Sequence, residues 1–344
     1  MSVNPSDKHD EPSNQGSTPL PGGRLGGPIG VLIEDFLGYL LVEKNASPLT
    51  IRDYRHYLRR FLDWLIKSEG ESCKVQDINL PTIRKYRLYL AQYTDSKNRS
   101  LSRVTQSYYV IAIRAFLKWL TKNDYNVLSP EKIELPRGES HSLKFLDRDQ
   151  VEHLLSQPLP STLDGARDKA ILELLFSTGL RVSELVSLNR DTVNIERREF
   201  GIIGKGRKVR VVFISDRAAQ SLEGYLAMRK DQWTPLFINF RGLKGDIEKV
   251  IKTFDVNESE KHRLTSRSIQ RLVEKYVKKA KLPIKITPHG LRHSFATDLL
   301  QAGADLRSVQ EMLGHKNVAT TQIYTHVTNR QLKEVHKQYH SGNK

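Results

Sequence analysis

Residues 287–293 read Thr287-Pro288-His289-Gly290-Leu291-Arg292-His293, and the chain later continues through Leu313-Gly314-His315 to Gln322-Ile323-Tyr324-Thr325-His326. Thr287 has N-cap chemistry, and Pro288 carries the fixed φ that suits a first helical residue. The stretch therefore opens a helix with His289 in its first turn. His289 and Arg292 are three apart and share one face. A helix start adds unpaired N–H groups and partial positive charge, a setting that suits an anionic phosphate. A second cluster, Thr178-Gly179-Leu180-Arg181-Val182-Ser183-Glu184-Leu185, reads as one helix ending at Gly179 and another beginning with Arg181. Arg292 and Arg181 can each bind two phosphate oxygens at once.

Between the two clusters lies one clear β signal. Phe200-Gly201-Ile202-Ile203 and Val209-Arg210-Val211-Val212-Phe213-Ile214 flank Gly204-Lys205-Gly206-Arg207, a hairpin signature. Lys205 stands between two glycines, so a tip carrying it can reach into a groove without side-chain obstruction. The spacing of a phosphate-binding P-loop is missing. His289 and His293 have the i, i+4 spacing of a metal pair, but no HExxH pattern or third ligand accompanies them, so no metal is expected. A tyrosine beside such a cationic pocket is a candidate nucleophile. Tyr324 is one of 13 tyrosines, and physical reasoning alone does not single it out. Taken one at a time, each of these residues has an ordinary reading as a surface charge or a turn residue.

Outward from these clusters, the first third of the chain is patterned for helices. Ile29, Ile33, Phe36, Leu37, Leu40 and Leu41 recur at helical spacing, and Ser47-Pro48 marks the next helix start. Ile51, Tyr54, Leu58, Phe61, Leu62 and Leu65 form its stripe, Ile83, Tyr86 and Leu90 suggest a third helix, and Val104, Tyr108, Ile111, Ala115, Phe116 and Trp119 a fourth. Residues 96–123 hold Lys97, Arg99, Arg103, Arg114, Lys118 and Lys122 and no acid. A basic run is often only a solvated face, but the missing acids favour a phosphate-facing surface containing Arg99, Arg103, Arg114 and Lys118. Residues 1–28, with five prolines, five glycines and four serines, read as a flexible tail. Residues 124–145, with Pro130, Pro136 and Gly138, read as a linker, and 241–264 as a polar loop.

The 344 residues carry a net charge of +16, and the tail contributes −1 of it, so the excess lies in the folded part. Such a surface attracts a polyanion, because neutralising phosphates releases counterions. With 38% hydrophobic and 27% charged residues the composition is that of a globular protein. No apolar run is long enough to span a bilayer and no signal pattern opens the chain, so a cytoplasmic location without a membrane partner is expected. The single cysteine, Cys73, cannot form an internal disulfide.

Pro288 to His293 resembles the HxLRH box of the tyrosine site-specific recombinases, the phage integrase family. Leu299 to His326, with Gly303, Ala304, Asp305, Leu306, Val309, Gln310, Leu313, Gly314, His315, Thr320, Thr321, Gln322 and Tyr324, is similar to the Xer branch. Thr178 to Leu185 resembles that family's first arginine box, and Gly204-Lys205-Gly206 its β-hairpin lysine. Several specific boxes in the expected order, spread over about residues 29 to 340, carry the resemblance. It implies a mainly α fold: a four-helix core-binding domain at 29–123, then a helical catalytic domain with a small antiparallel β-sheet at 146–344, the two forming a C-shaped clamp on DNA. It assigns Arg181 and Arg292 to the phosphate, Glu184 to their support, and Lys205 to general acid catalysis. His289 would assist proton transfer, His315 would hold the phosphate and nucleophile region, and Tyr324 would be the nucleophile. The reaction needs no cofactor. The expected partners are duplex DNA with a specific site and a homo- or hetero-tetramer on two duplexes, with a second recombinase or an activating cell-division protein as a further candidate partner. The long tail and the 241–264 stretch depart from typical Xer chains. Chromosome-dimer resolution is the leading role, with integration or excision of a mobile element as the alternative. A DNA-binding regulator without catalysis would lack part of the set, and a metal-dependent nuclease would need clustered carboxylates where only Glu184 stands.

Overall fold

The computed structural model describes residues 25–135, 144–204, 209–240 and 256–314. The chain divides into two compact units, Met1–Ser140 and His141–Lys344. The first contains α1 (Gly27–Val42), α2 (Pro48–Glu69), α3 (Leu80–Gln92) and α4 (Arg103–Lys122). Local chemistry fixes where these helices begin. The Ser47 hydroxyl accepts from the Thr50 amide at 3.2 Å, ahead of Pro48, and Asn79 and Ser102 cap α3 and α4 in the same way. The four helices then close on a core of Ile33, Phe36, Leu37, Leu58, Phe61, Leu65, Tyr86, Leu90, Ile113, Phe116 and Leu120, none more than 1% exposed. Each large side chain so buried is worth about 1.5–3 kcal/mol relative to exposure. Phe61 meets Tyr86 edge-on at 4.9 Å between ring centres.

In α4 the structure keeps part of the stripe expected from sequence, with Phe116 buried and Ala115 and Trp119 packed against the core, and departs from the rest. Val104, Tyr108 and Ile111 are exposed, while Tyr109, Val110, Ile113, Phe116, Leu117 and Leu120 face the core. The helix is apolar around much of its circumference, so its 3.6-residue period admits two adjacent stripes. Only the packing of α4 against α2 and α3 chooses between them.

The second unit runs α5 (Arg148–Leu155), α6 (Leu163–Thr178), α7 (Val182–Val186), β1 (Glu199–Ile203), β2 (Val209–Phe213), α8 (Asp216–Ala227), α9 (Val256–Lys261), α10 (Ser266–Lys279), α11 (Pro288–Gln301) and α12 (Leu306–Leu313). Helix α6 is its centre. Ala170, Ile171, Leu172, Leu174 and Leu175 are fully buried, Arg167, Asp168 and Glu173 are buried with them, and α5, α8 and α11 pack around the helix. β1 and β2 pair antiparallel with Glu199 opposite Phe213 and Ile203 opposite Val209. Phe200, Ile202 and Val212 point into the core, and Ile203, Val209, Val211 and Phe213 point outward. Of the stretch expected to be a polar loop, residues 256–264 are structured. After α9, Arg263 donates to the carbonyls of Val186 and Leu188 at 2.9 and 3.0 Å, and Leu264 is buried. Among the described residues no helix is long and apolar enough to cross a membrane.

Gly179 ends α6 at φ +59°, in the left-handed region. A Cβ there would lie 2.5 Å from the Phe295 ring and 3.1 Å from Leu313. Gly179→Ala should therefore cost about 2–4 kcal/mol, combining backbone strain with overpacking, as read from the denaturant midpoint of the second unit.

Candidate active site

Local capping again sets the site up. The Thr287 hydroxyl accepts from the Gly290 amide at 3.3 Å, Pro288 takes the first helical position, and α11 then directs Arg292 inward, where it is 2% exposed. Its guanidinium donates to the Gly179 carbonyl at 2.6 Å and to the Leu313 carbonyl. Arg181 caps the short α7. Its side chain donates to Glu184 Oε1 at 2.8 Å, its own backbone N–H donates to Glu184 Oε2 at 2.8 Å, and its Nη2 reaches the Gly314 carbonyl at 3.4 Å. Gly179, Arg181 and Arg292 thus meet where α6, α7, α11 and the end of α12 converge.

Glu184 is the acidic member of this group and its side chain is 7% exposed. Burial by itself would raise its pKa. The hydrogen bonds from the Arg210 guanidinium and from the amide and guanidinium of Arg181 outweigh that and hold the carboxyl at about 2. Arg210 was not among the residues singled out from sequence. It lies on β2, and its Nη1 and Nη2 donate to the two Glu184 oxygens at 3.0 and 2.8 Å. The available signal was a lone cation at the strand position that alternates inward with Val212.

His289 is exposed at the start of α11, and its ring meets the buried His293 edge-on at 4.4 Å. Partial desolvation of the ring on its protein-facing side, then the charges of Arg292 and Arg181, lower its pKa below the usual imidazole value, which favours the neutral form near pH 7. The structure thus brings together Arg181, Glu184, His289 and Arg292. Lys205, His315 and Tyr324 lie outside the described residues, although β1 and β2 lead to Lys205 and Gly314 immediately precedes His315. Among the described residues no group of three His, Cys, Asp or Glu side chains is placed to hold a metal ion.

The basic candidates Arg99, Arg103, Arg114 and Lys118 belong to the first unit. Arg103, Arg114 and Lys118 share the outward side of α4 with Val104, Tyr108 and Ile111. Arg99 is different, because an acid just outside the run claims it. Asp95 accepts from the Arg99 guanidinium at 2.6 and 2.9 Å and from the amides of Lys97 and Arg99, which holds its carboxyl at about 2.

The chain is thus a helical unit followed by a unit in which two arginines meet on the adjacent carbonyls of Leu313 and Gly314. The model of the phage integrase family matches residues 144–331, and that of the phage integrase N-terminal SAM-like domain matches residues 33–124. The chain belongs to the phage integrase family and is a tyrosine recombinase. It is 36% identical over 313 residues to the tyrosine recombinase XerC of Pelotomaculum thermopropionicum, covering 90% of this chain and 98% of that one. It is 37% identical over 317 residues to the tyrosine recombinase XerD of Listeria monocytogenes serotype 4b, again covering 90% and 98%. The fold is shared with the XerH site-specific recombinase bound to a palindromic difH substrate, at TM-score 0.66 and 23% identity over 93% of this chain and 98% of that one. It is shared too with the Tn1549 transposon integrase in complex with circular intermediate DNA, at TM-score 0.62 and 20% identity over 85% and 94%.

Glu184 gives the site a pH signature. Its folded-state pKa of about 2 lies below the ordinary value of 4.5, so the ionised carboxylate stabilises the fold above pH 4.5 and this contribution is lost as pH falls toward 2. Glu184→Gln should remove on the order of 2–3 kcal/mol of that acid-side pH dependence. Unfolding free energies of the two proteins, compared between neutral pH and the acid limit of folding, measure it.

Proposed function

We propose that this chain cuts and rejoins DNA at specific sites through a 3′-phosphotyrosyl bond on Tyr324. The Tyr324 hydroxyl passes its proton toward neutral His289 as its oxygen attacks the backbone phosphorus, the bond to the 5′ oxygen breaks, and Lys205 supplies the proton that the leaving oxygen takes up. The 5′ hydroxyl of a partner duplex then attacks the phosphotyrosine, so the energy of the phosphodiester is kept and no nucleotide is consumed. The observation that carries this reading is the meeting of Arg181 and Arg292 on the carbonyls of Gly314 and Leu313, just before His315 in the sequence, with His289 within the field of both arginines. Two guanidiniums placed there can stabilise the charge of the pentavalent transition state. Neutral His289 can take up or pass on a proton, and Glu184 keeps Arg181 in place.

Likeness to XerC and XerD relatives favours chromosome-dimer resolution within this class. Integration or excision of a mobile element is the second reading, and genetic mapping of the recombined site separates the two. We further propose a cytoplasmic complex of four protomers on two duplexes, made of this chain alone or together with a second recombinase or an activating cell-division protein. Two features support it. The hairpin leaves Ile203, Val209, Val211 and Phe213 exposed beside a cavity of about 230 Å³ lined in part by Ser177, Phe295, Leu299 and Met312. Leu332, Val335, His336 and Tyr339, outside the described residues, have the spacing of a helix stripe that a second copy can lay on this surface.

Tyr324→Phe deletes the attacking oxygen and keeps the ring. The variant should fold and bind duplex DNA like the parent, yet form no covalent adduct on a pool of nicked genomic fragments. Peptide mapping of the parent's adduct should place the DNA on Tyr324, with excess EDTA present throughout. An adduct on another tyrosine, Tyr339 included, refutes the assignment, as does one that requires added magnesium.

On the outward side of α4, replacing Arg103, Arg114 and Lys118 together by Ala should weaken binding to every duplex alike. It should reduce the slope of log affinity against log salt by about 2–3. Arg99→Ala should change that slope least, because Asp95 already holds Arg99. An unchanged slope in the triple variant would mean that this face is only solvated.

A further inference from the structure

Three consecutive carbonyl groups at the end of α12 accept from three different arginines. Arg210 Nε reaches Met312 at 3.0 Å, Arg292 reaches Leu313, and Arg181 reaches Gly314 at 3.4 Å. The last carbonyls of a helix lack partners within the helix and carry partial negative charge, so cations suit them. The three arginines are not equivalent. Arg181 and Arg292 are the residues proposed to meet the phosphate. Arg210 is committed to protein through Nε, Nη1 and Nη2, with the last two forming a fork on the Glu184 carboxylate. Its side chain is 9% exposed.

Arg210 also sits at a junction. It pairs across the hairpin with Ile202, three residues before Lys205 in the sequence. Through Glu184 it reaches α7 and Arg181, and through Met312 the end of α12. Gly314 adopts φ +64°, and a Cβ on it would stand 3.1 Å from Arg210 Cδ and Nη1. The glycine thus lets α12 end directly against this guanidinium.

We propose that Arg210 is a positioning residue of the recombination reaction: it ties the hairpin, Glu184 and the exit of α12 into one unit and leaves the phosphate to Arg181 and Arg292. This rests on the function proposed above. Without Arg210 the buried Glu184 has Arg181 as its remaining arginine partner, and that pull competes with the pull of the phosphate on Arg181. The end of α12 loses one of its three arginine donors at the same time.

The test uses the full chain with Arg210→Ala and Arg210→Lys. Without DNA, amide exchange over residues 309–314 should quicken about tenfold or more in Arg210→Ala, while the interiors of α6 and α8 exchange as in the parent. With the pool of nicked genomic fragments at saturating protein, the single-turnover rate of adduct formation should fall about tenfold or more, with apparent affinity within about threefold. Arg210→Lys keeps the charge without the fork, so it should recover part of both losses. Arg210→Ala combined with Glu184→Gln should lose less than the product of the two single losses, because both act through one contact. Parental exchange at the end of α12, or a parental adduct rate in Arg210→Ala, overturns the proposal. Quickened exchange together with no adduct in the parent would leave the arginine clamp standing and overturn the phosphotyrosine reading instead.

Discussion

A carboxylate taken out of water must be matched by cations held in good geometry, and Glu184 meets that condition with two arginines. Arg181 binds it from the same helix start through both its amide and its side chain, and Arg210 binds it from the hairpin. The rest of the site follows from this arrangement. Glu184 fixes the direction of Arg181, and Arg210, held by the same carboxylate, reaches the end of α12. Arg292 enters from α11 and takes the next carbonyl along. A single buried acid thereby sets the relation of α7, the hairpin and α12 in a region otherwise rich in positive charge.

That excess charge is the chemically useful feature. Arg181, Arg210 and Arg292 bring three guanidiniums to one place, and Glu184 balances one of them. Helix α12 offers its carbonyl end, whose partial negative charge holds the arginines without neutralising them. A site of this kind favours an anion that presents several oxygens at once, and a backbone phosphate does so. The same charges act on His289 and lower its affinity for a proton. At the scale of the whole chain the net charge of +16 points the same way, as long-range attraction for a polyanion.

Where structure and sequence reading diverge, the cause is contact between distant segments. The fourth helix has two apolar stripes side by side, and its neighbours decide which one is buried. Arg99 looked like part of an acid-free basic run because Asp95 falls one residue outside it; the tight turn at 94–100 folds Asp95 back onto Arg99. Arg263 lies in a stretch polar enough to read as loop, yet its guanidinium closes on the carbonyls of Val186 and Leu188, more than seventy residues earlier.

The sequence by itself determined what depends on neighbours along the chain. Helix starts at Ser47-Pro48 and Thr287-Pro288, the helix end at Gly179 and the hairpin around residues 204–208 are all local, because capping and turn chemistry act over three or four residues. The order of the arginine and histidine boxes was legible too, and the family with it through their resemblance to the phage integrase family. Only the tertiary structure decided which charges meet. Arg210 is a strand residue like its neighbours until the hairpin folds over Glu184, 26 residues earlier, and the end of α12, 102 residues later. Hydrogen bonding requires donor and acceptor within about 3 Å. No pattern along the chain specifies such a distance between remote segments; the packing of α6, α7, α11 and α12 does.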